Sequence, residues 1–532
     1  MTEISTSSPL ATTRVRPRFF CLGVGVVATL AVLGLRLVLA SHVAFCGWRD
    51  GCFYYTLARQ LAGHHGFMLP FVWNYQVGNI QLPNPALQYW RPGMSLILAL
   101  PSLVGGEVTL LSAAVMNAVA TVLLSLSAAW LAWRTIGDRL ATLLAYVLCL
   151  SLTPLWSLPL TPDSALFYAV AVAWFLALVS VEHSGIAGEL FGVVLIGVAY
   201  FIRNDAIVLG VSLAGIVVAR FVAARGGDVR GEIRRAAILA VAFVLALLPT
   251  HLVLAAVNGH FLNSAIDRVI FLSSWDDFRR YGSPADFATW SHAGLAALAK
   301  VRLQGLFDVA HDLWRMCGEF PTLLGVLGAA TVATNRRHDY GGQFLGPALF
   351  LLALAGSYVL VLPVIAKYGV PRSAAALLPA FAVLAVIGVR EVATSPRAVA
   401  AVVAVAALIS VVHGLSIAGG LLDYFDGTRS RYLAEARLME DHVGKDRHIL
   451  AMVEDPAPFT TTTGIPSVPL PNNGVDATKQ AIERYGVTDV VVDEWRGGRA
   501  LVSTLGAATV SGVQGTTDLV IAVPQAPSAG LR

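Results

Sequence analysis

Charge is scarce in this sequence. Asp, Glu, Lys and Arg together make up 13% of 532 residues, 56% are hydrophobic, and the mean hydropathy is +0.69. So little charge cannot cover an ordinary soluble globule of this length, which excludes that class and leaves a polytopic membrane protein. A dense basic face is also missing. The net charge is only +4, and the basic residues fall in short segments between apolar runs, which excludes nucleic acid as a partner. No period of about 20 to 50 residues repeats, and no low-complexity tract stands out beyond the Ser/Thr-rich start, so a repeat array is excluded too.

What the sequence does have is eleven apolar runs, near 19–44, 108–133, 140–156, 165–181, 186–201, 206–221, 236–257, 320–334, 344–365, 374–389 and 399–421. The first follows a polar tail carrying Arg14, Arg16 and Arg18, like the start of a signal peptide, but its length suits a retained spanning helix. Threading the runs alternately places Arg134 and Arg139, the cluster Arg220, Arg225, Arg230, Arg234 and Arg235, then Arg336, Arg337, Arg390 and Arg397, on the side of that tail. By the positive-inside rule that side is cytoplasmic; the turn "VEHSGIAGE" has neither Lys nor Arg and is neutral. The expected architecture is a cytoplasmic tail (1–18), a helical membrane domain (19–422) and an extracytoplasmic domain (423–532) in the plasma or inner membrane. Within the membrane domain, 42–107 and 258–319 are large outer loops, and a short outer turn surrounds Asp163.

Composition shifts at Asp423. Beyond it, strand-length runs ("ILAMVED", "VTDVVVDE", "DLVIAVP") alternate with helix-like segments ("RYLAEARLMEDHVG", "DATKQAIERYG"), which predicts a small α/β domain of about 100 residues.

The first outer loop opens with "FCGWRDGCFYYTLARQLAGHHGF". A carboxylate at a membrane boundary costs free energy unless solvated or paired, so Asp50 is a functional candidate; it is equally a candidate N-cap for a helix beginning near Gly51. Cys46 and Cys52 bracket it, and an oxidising compartment could join them, although two free thiols fit the spacing as well.

The segment "RDGCFYYTLARQLAGHHGF", followed by "WRPGMSLILALPSLVGG", resembles the first outer loop of the GT-C superfamily, membrane glycosyltransferases that use polyprenyl-phosphate sugars and include protein O-mannosyltransferases and lipid A aminoarabinose transferases. Asp50, Tyr54, Tyr55, Gly63, Gly66 and Pro92 fill the family's places there. "LTPDSALFYAVAVAWFLAL", "GVAYFIRNDAIVLG" and "KYGVPRSAAALLPAFAVLAVIG" resemble later helix entries of the family, and the terminal segment resembles the outer domain of bacterial members. Two patterns are missing. Gly51 follows Asp50 where protein O-mannosyltransferases have a paired Asp-Glu, and the acidic metal-binding motifs of oligosaccharyltransferases are not clear.

The resemblance implies transfer of a hexose or pentose from a polyprenyl-phosphate donor to a glycan, lipid or protein acceptor, with Asp50 as general base in an inverting displacement. Arg203, Arg372, Lys367 and Arg91 are the candidates for the donor phosphate, since guanidinium suits bidentate contact and ammonium supplies a point charge. Each of the first three could instead be an interfacial anchor, and Arg91 could instead pair with Asp50. On the acceptor and sugar side stand Tyr54, Tyr55, Asp163, Asp276 and Asp277; Asp163 and Asp205 are also candidate N-caps, and the aromatics of "FLSSWDDFRRYGSPADFATW" fit an interfacial belt as well as a sugar site. His64 and His65 read as solvated surface. No metal or other cofactor is assigned, and dependence on a divalent metal is left open. The rival readings are a secondary transporter, against which the lack of repeats and of a polar mid-membrane cluster counts (Arg36 being the exception), and a non-catalytic envelope-assembly protein.

Overall fold

The computed structural model describes residues 17–76, 81–179, 185–223, 229–261, 266–316, 318–334, 341–443, 448–494, 498–506 and 509–524. Arg14, Arg16, Arg225, Arg336 and Arg337 of the topology argument lie outside the described residues.

All eleven apolar runs fall on helix, but fewer make a full unbroken span. Among the described residues, seven helices are long and apolar enough to cross a bilayer: Cys21–Ala40, Leu110–Ile136, Asn204–Val222, Val229–Asn258, Gly342–Val361, Pro363–Val392 and Pro396–His442. The bent pairs Arg139–Ser151 with Pro154–Leu160 and Leu295–Arg315 with Phe320–Thr334 raise the count to nine. Ala165–Leu178 and Ile186–Ile202 are shorter, at 14 and 17 residues. At 1.5 Å per residue they reach about 21 and 26 Å, short of a hydrocarbon core of roughly 30 Å. The cause is local: Val179 and Arg203 both leave the helical region for extended backbone, and Arg203 thereby turns back toward Asp205.

Burial separates centre from rim. In the apolar 18-residue stretch of the Pro363–Val392 span 83% of residues are buried, against 6% in that of the first helix, whose Leu22, Val27 and Leu30 are exposed as lipid-facing side chains require. At the helix ends away from the site, several charges are paired. Arg390 meets Asp138 at 3.0 Å, and Glu189 takes both Arg220 and Arg235.

The last of these spanning helices, Pro396–Val443, has 48 residues and runs unbroken through the expected domain boundary at 422/423. Its length of about 72 Å is more than twice the hydrocarbon thickness, so its far half belongs to the terminal domain. That domain carries a five-stranded sheet in the order Ser467–Pro469, Ala451–Val453, Asp489–Asp493, Asp518–Ala522, Thr509–Gly512. The first three strands are parallel, with Pro456–Thr463 and Val475–Tyr485 as crossover helices; the last two run antiparallel. The α/β expectation is met.

Three segments far apart in sequence pack together on the face that bears this domain. The first loop adds to the edge strand, Val72 N–H donating to Ser467 O at 3.0 Å and Ser467 N–H to Pro70 O at 3.3 Å. Thr56 and Thr461 share a hydroxyl hydrogen bond of 2.6 Å, and Arg49 pairs with Asp455. From the 258–319 segment, Arg279 reaches Glu454 at 2.7 Å and Tyr281 N–H donates to Asn473 at 3.0 Å.

Candidate active site

Between these segments and the membrane helices lies a cavity of about 840 Å³. Asp50 is on its wall, in the first turn of the helix Arg49–Ala62. Trp48 occupies the N-cap and no side chain caps the helix, so the N-cap alternative for Asp50 does not hold; its carboxylate points instead to Arg372. A carboxylate in the first turn also complements the positive helix end.

Arg372 is shared. One nitrogen donates to Asp50 Oδ2, and Nε lies 3.1 Å from Asp163 Oδ2, whose residue is only 3% exposed. Asp163 Oδ1 accepts from Ala165 N–H at 3.0 Å and from the Ser164 hydroxyl at 3.3 Å, so it both fixes the start of Ala165–Leu178 and acts as a counterion. Arg203 forks onto Asp205, with Nε and Nη2 each 3.1 Å from a carboxylate oxygen, and also donates to Ser164 and Ser373 at 3.3 Å. Tyr358 OH donates to Asp205 at 3.3 Å, and the Ser373 hydroxyl bonds the same oxygen. Asp205, expected as an N-cap, is therefore the partner of Arg203. Three carboxylates and two guanidiniums form one network along the cavity wall, only Asp163 lying behind it, and such forked pairs hold geometry firmly.

Two cations on the wall are not neutralised in this way. Arg91 is 4% exposed; Nη2 donates to Tyr200 OH at 2.6 Å and its carbon sits 4.5 Å from that ring, while Nε and Nη1 are buried with no hydrogen-bond partner among the described residues. It does not pair with Asp50. Burial lowers its pKa from the ordinary value, so an anion beside it would relieve a cost already present. Lys367 is exposed to the cavity, its Nζ 5.9 Å from the Tyr368 ring, and makes no salt bridge among the described residues.

The two tyrosines of the first loop part company. Tyr54 is buried on the cavity wall, and burial, with the Asp50 charge adding, holds its phenol well above the usual range, so it stays a proton donor. Tyr55 turns away from the cavity and donates to Val108 O at 3.3 Å. Neither Asp276 nor Asp277 lines the cavity. Asp276 is 69% exposed and pairs with Arg279 at 3.1 Å; Asp277 accepts from Ser273 and Ser274 N–H at 2.8 and 2.9 Å, closing a local turn. The residue just before them, Trp275, is the one on the wall, 5.6 Å under the Arg49 guanidinium and 5.1 Å from Tyr368. Trp48, Arg49, Tyr424 and Asp455 also line it and were not singled out by sequence. Among the described residues no group of three or more His, Cys, Asp or Glu side chains is placed to hold a metal ion, and His64 and His65 are both exposed. Arg36 is buried in the first helix, donating to Leu150 O at 3.0 Å beneath Trp156, away from the cavity.

No protein-family model matches the chain, and no curated protein sequence matches it. Solved structures do match in fold. The ArnT of Cupriavidus metallidurans bound to undecaprenyl phosphate superposes with a TM-score of 0.59 at 14% identity, over 94% of this chain and 99% of that one. The archaeal oligosaccharyltransferase AglB of Archaeoglobus fulgidus, in complex with an inhibitory peptide and a dolichol-phosphate, gives 0.53 at 13% identity, over 87% of this chain and 69% of that one. This chain shares the fold of both.

Proposed function

We propose that this protein is an integral membrane glycosyltransferase that moves a hexose or pentose from a polyprenyl-phosphate donor to a hydroxyl of a glycan, lipid or protein acceptor. One observation carries the reading: Asp50 faces the same cavity as Arg91 and Lys367, two cations that form no salt bridge among the described residues. That pairing of an acceptor-only group with free positive charge fits a reaction in which a hydroxyl loses a proton while a phosphate leaves. The shared fold supports it, since the matched structures hold undecaprenyl phosphate and a dolichol-phosphate.

In this mechanism the acceptor oxygen attacks the anomeric carbon, the carbon–oxygen bond to phosphate breaks, and its electron pair leaves on the polyprenyl phosphate. The hydroxyl proton passes to Asp50. Arg372 engages Oδ2, which leaves Oδ1 to receive it. Arg91 and Lys367 hold the phosphate, while Arg203 and Arg372 keep the carboxylates in place rather than binding donor. The rings of Trp48, Trp275 and Tyr424 offer faces for sugar C–H groups. The site would lie on the extracytoplasmic side of the plasma (inner) membrane, with the N-terminus in the cytoplasm; the Cys46–Cys52 disulfide supports an oxidising compartment there.

Asp50→Asn tests the reading, because it keeps the side chain's shape and removes the base. Turnover of undecaprenyl-phosphate sugars carrying a hexose, a pentose or an aminopentose, in membranes that supply the acceptor, is expected to fall by about a hundredfold or more with normal insertion. Turnover near the wild-type rate, or none by the wild-type protein with any of these donors, would remove the proposal.

A further inference from the structure

Asp50 sits inside a covalent ring. A disulfide joins Cys46 to Cys52, and four consecutive residues within the ring, Gly47 to Asp50, line the cavity. Arg49 is tied to Asp455, Asp50 to Arg372, and Trp48 lies 5.5 Å from the Tyr424 ring. The ring is closed tightly around its glycines. Gly47 turns at φ +81°, and a Cβ there would fall 2.4 Å from Thr161 Cγ2; at Gly51 a Cβ would meet Cys46 O at 2.6 Å.

Without the cross-link, the chain at Cys46 would be held to the helix that carries Asp50 by ring packing rather than by a bond, Phe45 and Trp48 lying 5.7 and 5.9 Å from the Phe425 ring. Cys52 N–H donates to Trp48 O at 3.0 Å, a bond of the helix start itself, and the first helix ends six residues earlier, at Ala40. The carboxylate would then depend on Arg372, on the Arg49–Asp455 pair beside it and on the packing of its helix, none of which closes the turn from Cys46 to Cys52. The two half-cystines are 2% and 0% exposed, so no external thiolate reaches either sulfur, and the bond is a fixed strut rather than a switch.

We infer that the Cys46–Cys52 disulfide is a positioning device for Asp50, fixing the start of its helix so that the carboxylate stands ready at the cavity wall. The inference rests on Asp50 being the base. It also accounts for the missing second carboxylate after Asp50: closing the ring leaves no room for a side chain at 51.

The test uses full-length protein carrying Cys46→Ala and Cys52→Ala together, assayed with whichever undecaprenyl-phosphate sugar the wild type turns over. Misplacement of a reacting group by about 1 Å costs up to a hundredfold, so kcat is expected to fall at least tenfold. KM for the donor and the affinity for undecaprenyl phosphate should stay within about twofold, since Arg91 and Lys367 are outside the ring. In an Asp50→Asn background the cysteine changes should cost nothing more, because the strut acts only through that carboxylate. Gly51→Ala, which retains both cysteines but crowds Cys46 O, should give the same selective loss of kcat. Unchanged kcat in the cysteine variant would overturn the inference. So would losses that multiply in the Asp50→Asn background, or donor binding lost along with kcat. Failure of the functional reading is distinct: there Asp50→Asn itself is harmless.

Discussion

Arg372 and Asp50 lie 322 residues apart in sequence and meet through Arg372 Nη1, while Nε of the same guanidinium stands 3.1 Å from Asp163. One side chain thus ties the start of the Arg49–Ala62 helix to the turn before Ala165–Leu178. From sequence, Arg372 was a candidate ligand for the donor phosphate. Already shared by two carboxylates, it has less to offer an anion than Arg91, whose Nε and Nη1 have no hydrogen-bond partner among the described residues.

Arg372→Ala should therefore act first on folding. It would leave Asp163, 3% exposed, without its counterion, and breaking a buried pair from one side costs about 3 kcal/mol or more. Thermal unfolding in detergent should shift down clearly, with turnover lost as well. Arg372→Lys restores charge but reaches only one carboxylate, so it should recover stability more than turnover. Unchanged stability in the alanine variant would count against the shared pair.

Arg91→Ala and Lys367→Ala should spare the fold and weaken the donor. A charge-assisted hydrogen bond contributes about 1.5–3 kcal/mol, so the dissociation constant for undecaprenyl phosphate should rise about tenfold or more for Arg91, and less for exposed Lys367. Titration of the purified variants with undecaprenyl phosphate checks this. Normal affinity in both would place the phosphate elsewhere.

Most of the fold was legible because membrane helices announce themselves by hydrophobic length, and the α/β pattern of the last hundred residues by alternating runs. The count of full spans was less so. Hydropathy does not reveal that Arg203 breaks helix to reach Asp205, or that Pro154 follows a bend of 55°. Asp50 was legible from its place after the first helix. Its partner was not, nor that of Arg49 beside it, since the Asp50–Arg372 and Arg49–Asp455 contacts cross more than 300 residues and depend on packing alone. The loop "SSWDD" drew attention to its charges, yet Asp277 serves the turn and Trp275 the cavity.

That loop makes a direct comparison possible. Asp276→Ala removes an ion pair to Arg279 from a side chain 69% exposed, and exposed pairs contribute little, so turnover and stability should stay near wild type. Trp275→Ala removes the ring beneath Arg49 and beside Tyr368, and should cost turnover about tenfold, mainly through the loss of apolar contact with the bound sugar. Steady-state kinetics of the two variants side by side would decide. Equal effects would mean that the loop acts as a whole.

The terminal domain gives the last test. A cut at 422/423 would sever the Pro396–Val443 helix and remove Tyr424, Thr428 and Tyr432 from the cavity wall, so its effect could not be assigned to the domain itself. Removing 448–532 keeps that helix and takes away only Asp455 and Pro458 from the wall, along with the strand edge on which Pro70 and Val72 pair. The first loop would then lose its support at Thr461 and Ser467, while the Arg372 network, which draws on none of these residues, would remain. Expected is protein that inserts and binds undecaprenyl phosphate with turnover reduced at least tenfold, since the loop that positions Asp50 is loosened but the phosphate ligands are not. Asp455→Ala alone should have a milder effect, because Arg49 and Asp455 are about a quarter and a third exposed and such pairs contribute at most about 1 kcal/mol. Full turnover by the truncated protein would show that the domain serves something other than the cavity.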